Sequence, residues 1–322
     1  MIRLAFAALA PLLALAAAVA AQDGPAMPAT AAHPHPLAGR IVATADGAAV
    51  AGPEALAEAL AGADVVVLGE THDNADHHAA QAWLTARLAP GGLAFEMIPR
   101  DREDAVARLR AEGADAAALA AALDWERRGW PDFAMYAPIF AAAPDAEVTG
   151  GAIDREAAGA AMREGADVAA RRSIGASGGR YGLQSPLPES VLAAAAAEQV
   201  AAHCDAIPES VGRQMVEAQR LRDAAFADAA LRARALGGER PVALIAGAGH
   251  ARKDRGAPAA LAAARPDLRV LSVAMLETFD GAEDWRAYAA GPEGAALYDF
   301  VWFTAPAERA DPCEAFRSRA AP

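Results

Sequence analysis

The 322-residue chain is 54% apolar and only 6% aromatic, long enough for one large domain or two modest ones built mainly from small side chains. It carries 29 Lys and Arg against 42 Asp and Glu, a net charge of −13. That balance excludes nucleic acid as the main partner, because phosphate binding needs a basic footprint. It also disfavours an anionic membrane surface.

Residues 1–21 read as a secretory signal: Arg3 is the charged start, Leu4–Val19 the apolar run, and Ala18-Val19-Ala20 or Val19-Ala20-Ala21 the small-residue cleavage site. The mature protein is then expected to be periplasmic or secreted and soluble, with no membrane span left after cleavage. No cysteine lies near the cut, so an acyl anchor finds no support. Residues 22–39 (QDGPAMPATAAHPHPLAG) read as a Pro/Ala-rich linker too broken to pack, with His33 and His35 solvated. Residues 40–322 are expected to form a single domain. An even pair of cysteines, Cys204 and Cys313, in an oxidising compartment points to a disulfide. For so long a loop it would stabilise by very roughly 4–5 kcal/mol.

Within the domain, Arg40–Ala51 suggests a hairpin around Asp46-Gly47, and Pro53–Leu60 a helix. The stretch VVVLGETHDNADHHAAQ, residues 65–81, is the densest in chemistry. Val65–Leu68 form a buried strand, Gly69 breaks it, and Glu70, His72, Asp73, Asn74, Asp76, His77 and His78 follow. A helix is expected over Ala75–Leu88, capped by Asp73 or Asn74. Three of seven histidines thus fall at the carboxyl end of a strand, where open α/β sheets bind ligands. Leu93–Met97 is a second strand, in which Glu96 is a carboxylate that must face a site or a cation. Helices are expected over Pro99–Glu112 and Ala114–Leu123. The aromatic stretch from Trp125 to Phe140 is either a satellite core or a wall against a flat ligand.

A third strand, Glu147–Ile153, precedes a helix opened by Asp154 and Arg155. On the long helix Pro208–Leu236, Met215, Gln219, Arg222 and Phe226 share one face at about 100° per residue. Gln219 and Arg222 therefore need partners: an internal salt bridge, the acidic loop near Glu70 and Asp73, or an anionic ligand. Pro241–Ala246 then forms a strand ending in Gly247-Ala248-Gly249-His250. It repeats the pattern of Gly69…His72. In a parallel sheet both Gly-x-x-His turns emerge on one rim. Arg269–Met275 and Tyr298–Phe303 complete the strands.

With both turns placed, the chain resembles the ChaN-type haem-binding uptake family, within the wider Tiki/TraB/erythromycin-esterase superfamily. The resemblance runs from about residue 65 to 258, through GETHDNADHHAAQ, AFEMIPR, RGWPDFAMYAPIF, HCDAIP, MVEAQRLRDAAFA and IAGAGHARKDRGAP. It implies an α/β fold with a central, largely parallel β-sheet flanked by helices on both faces. It also implies an exported protein of haem or iron uptake that pairs as a homodimer around haem. The family's haem chemistry uses tyrosine ligation assisted by histidine. Tyr136 lies in a matching segment and is the first choice, ahead of Tyr298 and Tyr181. His72, His77, His78, Gln219 and His250 would assist, with Arg155, Arg222 or Arg252 for the propionates. No CxxCH attachment motif occurs, so haem would be non-covalent. The alternative is a metal-dependent hydrolase in which Glu70, His72, Glu96 and His250 hold a divalent metal or act as general base. No Gly-x-Ser-x-Gly elbow is present, which argues against covalent acyl chemistry.

Overall fold

The computed structural model describes residues 24–175, 178–311 and 313–314. The expected signal segment, residues 1–21, lies outside the described residues. After a short helix α1 (Pro28–Ala32), the hairpin β1 (Ile41–Ala43) and β2 (Ala48–Val50) leads through α2 (Pro53–Leu60) to β3 (Val65–Glu70) and α3 (Ala75–Leu88). β4 (Gly92–Phe95) is followed by α4 (Glu103–Ala111), α5 (Ala116–Ala122), α6 (Phe133–Ala142) and β5 (Glu147–Gly150). The excursion beyond β5 holds α7 (Arg155–Glu164), α8 (Ala166–Ser173), α9 (Glu189–Ala202) and the long α10 (Glu209–Leu236). β6 (Val242–Gly247), α11 (Ala257–Ala264), β7 (Val270–Glu277), α12 (Arg286–Ala289) and β8 (Phe300–Thr304) complete the chain.

The strands form one sheet in the order β2-β1-β8-β7-β3-β6-β4-β5. Every neighbouring pair from β8 to β5 is parallel, while β1 is antiparallel to both β2 and β8. The sheet is therefore mixed and mostly parallel, as the apolar runs imply: β3 and β6 are buried at every position, the signature of a strand covered on both faces. Val65 and Val67 pack under the side that carries α10 and α11. Val66 and Leu68 pack under the side that carries α2, α3 and α6. Small residues let α10 lie close to the sheet; a Cβ on Gly92 would approach the Ala233 methyl to 2.7 Å.

Residues 24–39 are not a solvated linker. Thr30 is buried and gives both its amide (2.7 Å) and its hydroxyl (2.6 Å) to the Asp76 carboxylate, while Leu37 enters the core. The reason is a buried acid in the first turn of α3 that needs donors, which this leader supplies. The tail beyond β8 is also held: Ala307 donates to Glu277, and Arg309 pairs with Asp73 and Glu277. A Cys204–Cys313 disulfide joins that tail to the turn between α9 and α10.

Candidate functional site

β3 and β6 are adjacent and parallel with Glu70 opposite Gly247, so both Gly-x-x-His turns leave the sheet at one rim. Two glycines make the close approach possible. A Cβ on Gly69 would lie 2.7 Å from the Ala251 methyl, and one on Gly247 would lie 3.3 Å from His72 Nε2. Asn74, not Asp73, caps α3: its side-chain oxygen accepts from the amides of Asp76 and His77. Its side-chain amide reaches Glu277 and the Ala305 carbonyl, which fixes the loop carrying His72.

Five titratable groups alternate across the rim. Glu70 Oε1 lies 2.9 Å from His72 Nδ1, and His72 Nε2 lies 3.9 Å from Glu96 Oε1. The same Glu96 oxygen is 3.7 Å from His250 Nε2, and His250 Nδ1 is 2.7 Å from Asp223 Oδ1. Each imidazole is thus oriented by its own carboxylate and turns its other nitrogen toward a shared one. Glu96 is fixed by the Gly247 amide, which donates to Oε2 at 2.7 Å. This resolves the expectation for Glu96: the carboxylate sits one residue past β4 and faces the site.

Burial would raise the Glu70 carboxyl, but hydrogen bonds from His72 and His78 outweigh it and hold the group below its usual range. Burial would lower His72, yet the Glu70 hydrogen bond and the Glu96 charge raise it to about 9. His250 is likewise raised, the charges of Glu96 and Asp223 overcoming burial, whereas burial raises Asp223. His72 is thus held protonated at neutral pH, and a Lewis-acidic group taken by its Nε2 would have to displace that proton.

Of these groups His72, Glu96 and His250 open into a cleft of about 350 Å³, lined also by Arg128, Trp130, Gln219, Arg222 and Phe226. Trp130 meets His72 edge-to-face at 5.1 Å, and Phe226 meets His250 at 4.8 Å. Arg222 donates to Gln219 at 2.9 Å. Neither Arg222 nor Arg128 lies within ion-pair distance of a carboxylate among the described residues. The cleft wall thus carries two guanidiniums that are outside any ion pair among the described residues.

Several expected site residues lie elsewhere. His77 is enclosed, accepting from the Thr71 amide at 2.8 Å and meeting the Thr304 hydroxyl at 2.7 Å; burial lowers it to about 4. His78 stands behind the rim, 2.8 Å from Glu70 and 2.9 Å from the His72 carbonyl. Tyr136 is fully buried; its hydroxyl donates to Glu70 at 3.2 Å, and burial together with the Glu70 charge pushes its pKa up. A phenol so placed opposes the phenolate expected of an axial ligand. Arg155 is exposed in the first turn of α7. Arg252 is buried and committed to Glu198 and Asp254. Glu70, His72, Glu96 and His250 do converge, yet no group of three or more His, Cys, Asp or Glu among the described residues is arranged to hold a metal ion. The spacing of about 4 Å between Glu96 and each imidazole, and the commitment of both Nδ1 atoms, account for this.

The sequence reading missed Asp223, Arg128 and the placement of Trp130. Asp223 follows Arg222 on the helix and is one turn from Gln219, so a buried acid on an otherwise apolar stripe was the available signal. Arg128 carried no pattern that distinguished it from its exposed neighbours.

A mostly parallel α/β sheet with paired histidine turns at its carboxyl rim places these side chains at the edge where open α/β sheets bind ligands. The chain belongs to the family described as haem-binding uptake, Tiki superfamily, ChaN, whose model matches residues 56–261. In fold it is similar to ChaN of Campylobacter jejuni, described with cofacial haem binding, at 18% identity and a TM-score of 0.59 over 81% of this chain and 95% of that one. Weaker likenesses are to the type III effector HopBA1 (13% identity, TM-score 0.47, 80% and 95% covered) and to the erythromycin esterase EreC (12%, 0.36, 83% and 82%). Among curated proteins none matches by sequence. No helix among the described residues is long and apolar enough to cross a membrane.

Proposed function

We propose that this protein binds haem non-covalently in the rim cleft, as an exported component of haem or iron uptake, and pairs as a homodimer around its ligand. The observation that carries this reading beyond family membership is the donor set of one open cleft. Two imidazole Nε2 atoms face it, Trp130 forms a wall, and Arg128 and Arg222 stand without carboxylate partners. Haem, when bound, supplies a Lewis-acidic iron in a flat apolar ring with two carboxylates. The residues suit those parts by chemistry: imidazoles for iron, an indole for the ring, guanidiniums for the carboxylates. Glu70 and Asp223 hold the imidazoles in place, and Gly247 leaves the space before His72 clear. The test is a haem titration of the purified mature protein followed by absorbance. A saturable Soret shift supports the reading, and featureless, non-saturating uptake removes it.

A second reading, general-base hydrolysis, is favoured by the His250–Asp223 pair at 2.7 Å, since a carboxylate-oriented imidazole facing a cleft can take a proton from water. It predicts hydrolytic turnover that His250→Ala abolishes, measured on ester and phosphoester panels without haem.

A further inference from the structure

We propose that this chain carries a second ligand site, on the far side of His250 from the rim cleft, built for a small zwitterion of the α-amino acid class with an apolar side chain. Val216, Gln219, Arg220 and Asp223 share one face of α10, at i, i+3, i+4 and i+7. Between that face, α9 and the loop after the second Gly-x-x-His turn lies a polar chamber of about 90 Å³. This is well above the roughly 10–15 Å³ that one water needs. Of its lining residues only Gln219 and His250 also line the rim cleft. On its other side the chamber shares Arg220, Asp223 and Arg255 with a cavity of about 170 Å³. The rest of that cavity's wall is largely apolar: Tyr181, Leu183, Pro186 and Leu187 face Ala259 and Ala260 of α11.

Most charges around the chamber are paired off. Arg220 is nine-tenths buried, pairs with Glu217 at 2.9 Å and donates to the Leu183 and Ser185 carbonyls, which braces the segment over the apolar cavity. Glu198 accepts from Arg252 at 2.8 Å and from Arg255. Two charged atoms are left over. Arg255 Nη1 is buried with no hydrogen-bond partner among the described residues. Asp223 is buried; its Oδ1 meets His250 Nδ1, and its Oδ2 has no hydrogen bond among the described residues. Both groups line the chamber, near enough for the Arg255 charge to act on Asp223. Each costs free energy while it stays unpaired in a buried place. A simple anion would satisfy Arg255 but meet Asp223, and a simple cation would do the reverse. A ligand that carries a carboxylate and an ammonium a short distance apart satisfies both with charge-assisted hydrogen bonds. The adjoining apolar cavity then takes its side chain.

The proposal stands apart from the haem reading, and its experiment omits haem. The full mature protein is titrated calorimetrically with L-alanine, L-valine and L-leucine, and with isocaproate and isoamylamine, which are leucine without its ammonium and without its carboxylate. At least one of the three amino acids is expected to bind saturably. Leucine should bind about 10–100-fold more tightly than either analogue, the worth of one hydrogen bond between charged partners. Arg255→Gln should weaken amino acid binding by a similar factor. Ala259→Leu fills the apolar cavity without touching a charge, so it should exclude leucine while circular dichroism shows the native fold. This second variant keeps the test decisive if Arg255→Gln does not fold. An analogue that binds as tightly as leucine would overturn the zwitterion assignment. No saturable binding of any of the three amino acids, or binding that both folded variants leave unchanged, would overturn the site.

Discussion

After β3 the turn places His72 against Glu70, a carboxylate of its own strand end two residues away. After β6 the matching turn places His250 against Asp223, which comes from α10, 27 residues upstream. The sequence pattern is the same, and the two imidazoles meet one glutamate from opposite sides at 3.9 and 3.7 Å. Their supports differ in kind. The first is local, partly exposed and open to the cleft; the second is tertiary, deeply buried and backed by Phe226. The lesson is that a repeated turn motif specifies where a histidine emerges, while the partner that tunes it is recruited by the packing around each turn. The first histidine is a third exposed at the cleft, and the second is set deeper, in the joint between helix and sheet.

That contrast can be broken by substitution. Asp223→Ala should destabilise the protein by about 3–5 kcal/mol, because it leaves His250 buried beside Glu96 without its partner. Urea unfolding measures this, and a loss below about 1 kcal/mol would dissolve the distinction between the turns. A pH titration of stability probes the support behind the first turn. The unfolded chain protonates His77 near 6.5, while the folded chain does so only near 4. The unfolded state therefore binds more protons in that window, and stability is lost as pH falls from 6.5 to 4. The loss is on the order of 3 kcal/mol and should vanish in a folded His77→Gln variant. Gly247→Ala puts a methyl 3.3 Å from His72 Nε2 and should cost about 1–3 kcal/mol while weakening ligand uptake. His72→Ala should have the smallest effect on stability, about 1 kcal/mol, since Glu70 keeps Tyr136 and His78. Thermal melts of the four variants, ranked, give the comparison directly.

The helix over Ala75–Leu88 and its cap, the buried strands and the shared rim of both turns were legible because each depends on short-range pattern: apolar runs, a capping residue, a glycine after a strand. The roles of His77, His78 and Tyr136 were not. All lie in segments rich in site-like residues, and only the packing of α3 against α6 shows that they face inward. Arg252 looked available beside the second turn, but Glu198 on α9 had no sequence signal linking it there. The leader failed as a linker for the same reason: what holds Thr30 is Asp76, 46 residues away.

The disulfide between Cys204 and Cys313 closes a covalent ring whose span of 109 residues includes His250 but not His72. The ring is pinned to the first turn from outside, through Arg309 on Asp73, and to the second from within, through α10. Both histidines are thus framed by one oxidised strap anchored at the α9–α10 turn. Cleaving it would remove the covalent tie on the chain end whose Arg309 pairs with Asp73 and Glu277, leaving those ion pairs and the Asn74 hydrogen bonds to hold the loop of His72.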